Sequence, residues 1–472
     1  MVFSSTLFLL YFLPVFLLIY HIVPKSWKNY VILVSSIIFY AWGAPKFLFV
    51  IILSIIFTFY LVRTINNSSN IKKRRILLFV GILINIGLLA YFKYANFFVE
   101  NVNFLISKMG YEPAKWIEVA LPIGISFFTF QTITYILDVY RKVHSPLDKL
   151  TDYMLYIMAF PQMIAGPIVR FNTIADQIIK RDEVIDDKLS GFYRFSIGLA
   201  KKVLIANVMA AQADAIFNGN VFELSTPNAW LGIIAYTFQI YFDFSGYSDM
   251  AIGLGKMMGF TFPENFDMPY TSKSISEFWR RWHMTLGNFM KDYLYIPLGG
   301  NKVSKRRMYF NLWVVFLISG LWHGASWNFV IWGAYHGLFL VLDKMFLIKF
   351  LNRIGGFFST VFTFFVVMIG WVLFRSETLD FAITYIGKLF SFTSFQDFYP
   401  LPAFTIMLLI SVIFAFFPDF KYGNKIKDFF FNKETYNIKQ NICLSLMAII
   451  LLFLSISFVV SSDFNPFIYY RF

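Results

Sequence analysis

The sequence is short of nearly everything that marks a water-soluble enzyme. Of its 472 residues 14% are charged, one is cysteine and five are histidine. Soluble domains carry about 25% charged residues. The lone Cys443 sits in an apolar run. It excludes an internal disulfide and a multi-cysteine metal site. No GxxxxGK(S/T) phosphate loop and no HExxH zinc helix is present, nor any GxSxG nucleophile elbow. No bound metal and no bound cofactor is expected. Low-complexity linkers and solenoid repeats are also missing, so one domain spanning 1–472 is the simplest organisation.

What the chain has in excess is apolar surface. Hydrophobic residues make up 58% and aromatic residues 21%, with 61 Phe. A soluble chain has about 45–50% apolar residues. The apolar runs recur from end to end, which predicts an all-α polytopic membrane protein. The formal charge is +14. Its basic residues fall in short segments between apolar runs, which fits the positive-inside rule and not nucleic-acid binding.

Candidate spans are 3–23, 28–43, 45–62, 76–98, 117–137, 191–215, 228–245, 308–322, 326–348, 356–374, 400–417 and 441–461, about twelve at ~20 residues each. Residues 151–169 are apolar but broken by Pro161, Gly166 and Pro167, which fits a re-entrant or kinked element. The basic stretch Arg63 to Arg75, the segment 138–144 and the lysines 421, 425, 427, 433 and 439 are expected inside. Both termini are then expected outside. The first run, Val2 to Tyr20, has no basic residue before it and does not resemble a secretory signal.

The middle of the chain departs from plain spans. Gln239, Asp243, Ser245, Ser248 and Asp249 interrupt apolar surroundings, and polar groups there are expensive. Ser274 and Glu277 have capping-box spacing, predicting a helix start. Ile275, Phe278, Trp279, Trp282, Leu286, Phe289, Met290 and Tyr293 then form one helical apolar stripe. His283 lies at its edge, one turn from Arg280. Two readings stand: a surface helix with snorkelling Arg280 and Arg281, or a helix whose arginines face an anionic donor while His283 faces a reaction chamber.

The basic run Lys302, Lys305, Arg306 and Arg307 precedes the 308–322 span, which leads into His323. His323 lies ~24 Å along that helix at 1.5 Å per residue. A histidine inside the hydrocarbon layer is expected neutral. It can accept a hydroxyl proton, as acyl transfer to an alcohol requires, or it can be a packing residue bonded between helices. Gly320, about one turn before it, and Gly324, next to it, admit another helix or a long substrate. His336 has no such flanking pattern and is expected to be structural. His21 and His144 sit at membrane boundaries, with no chemical role expected.

Several strings together resemble the membrane-bound O-acyltransferase family, in its alginate O-acetyltransferase branch. They are Leu121-Pro-Ile-Gly-Ile-Ser-Phe-Phe-Thr-Phe-Gln131, Phe160-Pro-Gln-Met-Ile-Ala-Gly-Pro167, Tyr241-Phe-Asp-Phe-Ser-Gly-Tyr-Ser-Asp-Met-Ala-Ile-Gly253, Phe278-Trp-Arg-Arg-Trp-His283, Asp292-Tyr-Leu-Tyr-Ile-Pro-Leu-Gly-Gly-Asn301, Gly320-Leu-Trp-His-Gly324 and Phe467-Ile-Tyr-Tyr-Arg-Phe472.

The resemblance implies a ring of membrane helices, with re-entrant and amphipathic pieces, around a central tunnel and a catalytic core near 117–348. It implies that His323 is the essential histidine and His283 the second one. It implies an acyl group, usually acetyl, taken from a cytoplasmic thioester such as acetyl-CoA. Arg280, Arg281, Trp282 and Trp322 are the expected donor-binding residues. A separate extracytoplasmic SGNH-hydrolase-like partner, working with polysaccharide-synthesis machinery, would place the group on a polymer. The aromatic terminal motif 467–472 would carry it on a tyrosine. Here Tyr470 stands where such motifs have Phe, and Tyr469 is the expected carrier. The implied location is the bacterial inner membrane. Two rivals remain at this point: D-alanyl transfer to teichoic acid, and a transporter or flippase without acyl chemistry.

Overall fold

A computed structural model describes residues 2–392, 400–433, 435–462, 464 and 466–468. Among these, structure is helical throughout, and the single extended pairing is an isolated bridge between Phe266 and Trp282. Five helices are long and apolar enough to cross a membrane: Pro45–Asn67, Ile71–Lys108, Trp327–Ile354, Gly356–Arg375 and Ile438–Ser461. A sixth span arises if Phe404–Asp419 and Gly423–Phe431, bent by 104°, count as one. The shortfall against about twelve expected spans has two causes. Some expected spans, such as those in Lys25–Gly43 and Lys305–His323 at 19 residues each, begin in polar, basic turns. Others carry the polar groups of the middle segment.

The chain divides into two compact units. The first is residues 7–182 with 1–3 and 259–262. Asn70 starts its longest helix by accepting hydrogen bonds from the Lys72 and Lys73 amides at 2.9 and 3.2 Å, the ordinary N-cap arrangement. At 38 residues that helix runs ~57 Å, well past a hydrocarbon layer of about 30 Å. The broken 151–169 segment is two helices, Leu150–Met158 and Phe160–Met163. Phe160 at the break packs edge-on against Phe12 and Phe16, with centroids 5.4 and 5.1 Å away.

The second unit is residues 183–258 and 263–472 with 4–6. Its axis is the 32-residue helix Thr226–Met257, buried along almost its whole length. The helix Ile185–Ala200 lies against it in backbone contact. A Cβ on Gly253 would stand 2.5 Å from the Gly191 carbonyl oxygen, and one on Gly198 would stand 2.6 Å from that of Gly246. Glycine at 191, 198, 246 and 253, spaced by seven, gives a seam that no side chain could occupy.

A second glycine crossing builds the hairpin of Lys305–His323 and Trp327–Leu342. A Cβ on Gly320 would lie 2.2 Å from the Phe329 carbonyl oxygen, and one on Gly333 would lie 2.4 Å from that of Phe316. The small residues beside His323 thus admit a helix. We expect Gly320→Ala to destabilise the protein by about 1–3 kcal/mol, because backbone must move aside. Gly87→Ala, where nothing lies within 4 Å, should be neutral or stabilising by about 0.5–1 kcal/mol. Thermal unfolding in detergent reads both. A Gly320→Ala midpoint equal to wild type would mean that the helices do not cross this closely.

Candidate active site

Ser274 caps the expected helix, its Oγ accepting from the Glu277 amide at 3.1 Å. The helix is shorter than its stripe. It runs Ile275–Arg281, stops, and resumes as Met284–Met290. The break is made from outside. The Asp267 amide donates to the Arg281 carbonyl at 2.9 Å and the Met284 amide to the Asn265 carbonyl at 2.9 Å. Those bonds use backbone groups that a continuous helix would need. His283 takes φ 45° at the break, a left-handed conformation that His enters more readily than most residues.

The break turns His283 inward. Its ring is 1% exposed and packs edge-on to Phe244 at 4.7 Å. Nδ1 lies 3.0 Å from Asn265 Oδ1. Asn265 Oδ1 also accepts from Thr285 Oγ1 at 2.8 Å, while its amide nitrogen donates to Ser248 Oγ at 3.1 Å. With the amide so oriented, His283 Nδ1 carries the proton and Nε2 presents a lone pair. Burial pushes this imidazole down to about 3, so the ring is neutral at physiological pH.

His323 is the last residue of its helix, and Gly324 follows in extended backbone. Its ring is 4% exposed. It is enclosed by Trp322, Trp332 and Phe374, with centroids at 4.8, 5.1 and 5.2 Å. The Trp322 ring also lies 5.9 Å from His283. One indole therefore touches both histidines. Trp332 continues the layer to His336 at 5.0 Å, and Trp279 covers His336 at 5.0 Å. His336 is fully buried against Gly370, and among the described residues neither ring nitrogen has a hydrogen-bond partner.

The donor-side expectations separate. Arg280 is exposed, as are Lys302, Lys305, Arg306 and Arg307. Arg281 is ion-paired to Glu277 at 2.7 Å. Trp282 is 3% exposed and packs on Phe278 and Trp371 at 5.5 and 4.9 Å. Trp322 alone of this group meets the histidines. Tyr469 lies outside the described residues. No group of three or more His, Cys, Asp or Glu able to hold a metal occurs among the described residues.

Two cavities follow one another along the Thr226–Met257 helix. One, of about 560 Å³, is lined by Tyr236 and Gln239 together with Phe374, the ring that packs on His323. The other, of about 200 Å³, is lined by Tyr241, Ser245 and Asp249 together with Phe266 and Met284, neighbours of His283. Its charges are matched within the site. Arg194 bonds Asp249 at 2.7 Å and grips Glu264 at 3.1 and 2.6 Å, and Lys201 bonds Asp249 at 2.6 Å. Asn265, Arg194 and this network escaped the sequence reading. A signal existed only for Asp249, among the polar residues of 239–249.

The sequence model of MBOAT, the membrane-bound O-acyltransferase family, matches residues 142–375. The chain is 44% identical over 398 residues to the probable alginate O-acetylase of Pseudomonas aeruginosa, covering 84% of this chain and 76% of that protein. It is 38% identical to the peptidoglycan O-acetyltransferase of Helicobacter pylori, covering 81% and 78%. It is 30% identical to the teichoic acid D-alanyltransferase of Bacillus subtilis, covering 54% and 69%. The flippase alternative falls with these matches. The chain belongs to the membrane-bound O-acyltransferase family, and it is a multi-pass membrane acyltransferase.

Proposed function

We propose that this chain takes an acyl group, acetyl by preference, from a cytoplasmic thioester such as acetyl-CoA and passes it outward for O-acetylation of a cell-surface polysaccharide. The observation that carries this reading is the Trp322 ring, which lies against both His283 and His323. His323 is the general base. It takes the proton of an acceptor hydroxyl as that oxygen attacks the thioester carbonyl. The thiol leaves and recovers the proton. His283, held as the Nδ1–H tautomer by Asn265, offers Nε2 to the same region. The exposed Arg280 and the 302–307 cluster suit the phosphates of the donor at the cytoplasmic face.

The acetyl reading is favoured over D-alanyl transfer because acetyl-transferring relatives match at 38–44% over more than four-fifths of the chain. The D-alanyl relatives match at 30–31% over about half. In this proposal the membrane is the bacterial inner membrane, with both termini outside. Tyr469 carries the group to an extracytoplasmic SGNH-hydrolase-like partner, which works with the polysaccharide-synthesis machinery.

His323→Ala should abolish polymer O-acetylation, a loss of at least about a thousandfold by analogy with the removal of an essential base, with membrane expression unchanged. Mass spectrometry of the polymer reads this, and acetylation at the wild-type level would refute the assigned role. Asn265→Ala leaves the His283 Nδ1–H and the Thr285 hydroxyl without their acceptor. It should lower transfer by about tenfold or more and cost about 1–3 kcal/mol of stability. Asn265→Asp keeps the acceptor and should lose less. Equal rates in all three proteins would remove Asn265 from the site.

A further inference from the structure

Lys202 and Asp243 form an ion pair of 2.7 Å with both side chains 2% exposed. Neither belongs to the aromatic layer around the histidines. Lys202 lies in the π-helical turn Lys201–Ala206, and Asp243 lies on the Thr226–Met257 helix. A buried pair is often no more stabilising than two apolar side chains of the same volume, so its presence calls for a further reason.

The other atoms of the two side chains supply it. Lys202 Nζ donates to Asn207 Oδ1 at 2.9 Å and also to the carbonyl oxygen of Pro466. The ammonium thus donates to two oxygens while its charge pairs with Asp243 Oδ1. Asp243 Oδ2 accepts the Ile468 amide at 2.9 Å. The lysine therefore holds the backbone before Phe467 and the aspartate holds it after. The Phe467 ring between them stacks on Tyr247 with centroids 4.8 Å apart. Pro466, Phe467 and Ile468 all line the larger cavity. Its wall also includes Phe374, 5.2 Å from His323.

We infer that the Lys202–Asp243 pair is a positioning clamp. It holds residues 466–468 as a wall of the cavity beside His323 and so sets where the next residues, beginning with Tyr469, enter the reaction. Only this last clause rests on the proposed function. The clamp bonds backbone, not side chains, so it tolerates any residue at 466–468 that keeps its carbonyl or N–H. Both charges are consumed in the grip, since each oxygen of Asp243 has its own partner. An apolar pair could fill the volume but could not hold the segment.

The test uses the full-length protein in cells, in a Cys443→Ser, Ile468→Cys background. The contact at 468 is made by the backbone amide and survives this change. A membrane-impermeant maleimide reads exposure of position 468. The double variant Lys202→Met with Asp243→Leu removes the clamp without leaving a lone buried charge. It should label about tenfold faster or more, the scale of losing charge-assisted hydrogen bonds. Polymer acetylation should fall by a similar factor at an unchanged thermal midpoint. Lys202→Arg, which keeps the donors, should label slowly and transfer normally. Unchanged labelling in the double variant overturns the clamp. Faster labelling with wild-type acetylation overturns its positioning role and leaves the proposed function standing. Labelling needs no acyl chemistry, so it still reads the clamp if His323→Ala retains activity and the proposed function fails.

Discussion

Asp249 is a carboxylate buried in the second unit, and much of that unit follows from how it is neutralised. Arg194 and Lys201 both bond it, and both come from the stretch that lies along the Thr226–Met257 helix. Removing one partner of a buried pair costs about 3–5 kcal/mol, so neither helix can slide without a large penalty. An aspartate side chain is short, and it reaches its partners only because the glycine seam at 191, 198, 246 and 253 lets the two backbones touch. Arg194 then uses its remaining donors on Glu264. Glu264 precedes Asn265, and Asn265 bonds His283. A charge buried in one helix thus fixes the residue that orients a histidine on another segment.

The histidines themselves sit where charge is least welcome. Their surroundings are rings: Trp322, Trp332, Phe374, Phe244. Aromatic side chains offer large rigid faces with few rotamers, so the imidazoles are held by shape as much as by hydrogen bonds. The same surroundings keep His283 neutral, and a neutral ring is the form that can take a proton. His323 ends its helix, and the next three residues turn the chain into Trp327–Leu342. The Gly320 and Gly333 crossing brings Trp332 back onto the ring of His323. The position of this ring is then set by one piece of packing.

Much of this was legible in the residues. Composition and loop charge gave an all-helical membrane protein, and the run from Gly320 to Gly324 singled out His323. The capping box at Ser274 placed a helix start correctly. What could not be read was anything made by distant backbone. The stripe from Ile275 to Tyr293 is continuous in sequence, yet the helix breaks at His283, because residues 265–267 bond to 281 and 284. Periodicity reports which face is apolar and says nothing of a loop that competes for the same amides. Asp243 stood out as a polar group in apolar surroundings, but its partners Lys202 and Ile468 lie 41 and 225 residues away. Gly320 allowed either a helix or a substrate, and only the Phe329 carbonyl, lying where a Cβ on Gly320 would stand, decided it. The difference between the two span counts has the same root. An apolar run shows that a segment avoids water without showing whether it faces lipid or protein.

The span matched by the family model, 142–375, contains both histidines, Trp322, Arg194, Asp249, Lys202 and Asp243. It does not contain residues 466–468, which form part of the cavity wall beside His323. This division has a physical logic. The proton transfer proposed above demands fixed geometry, and the histidines and their supports lie in one stretch locked by buried charge and glycine contacts. The 466–468 wall contributes chiefly backbone to its anchoring bonds, a carbonyl from Pro466 and an amide from Ile468. A wall attached by backbone can change its side chains without disturbing the charges that hold it. Under the proposed function, the acceptor side can therefore vary in chemistry while the site that activates the hydroxyl stays the same.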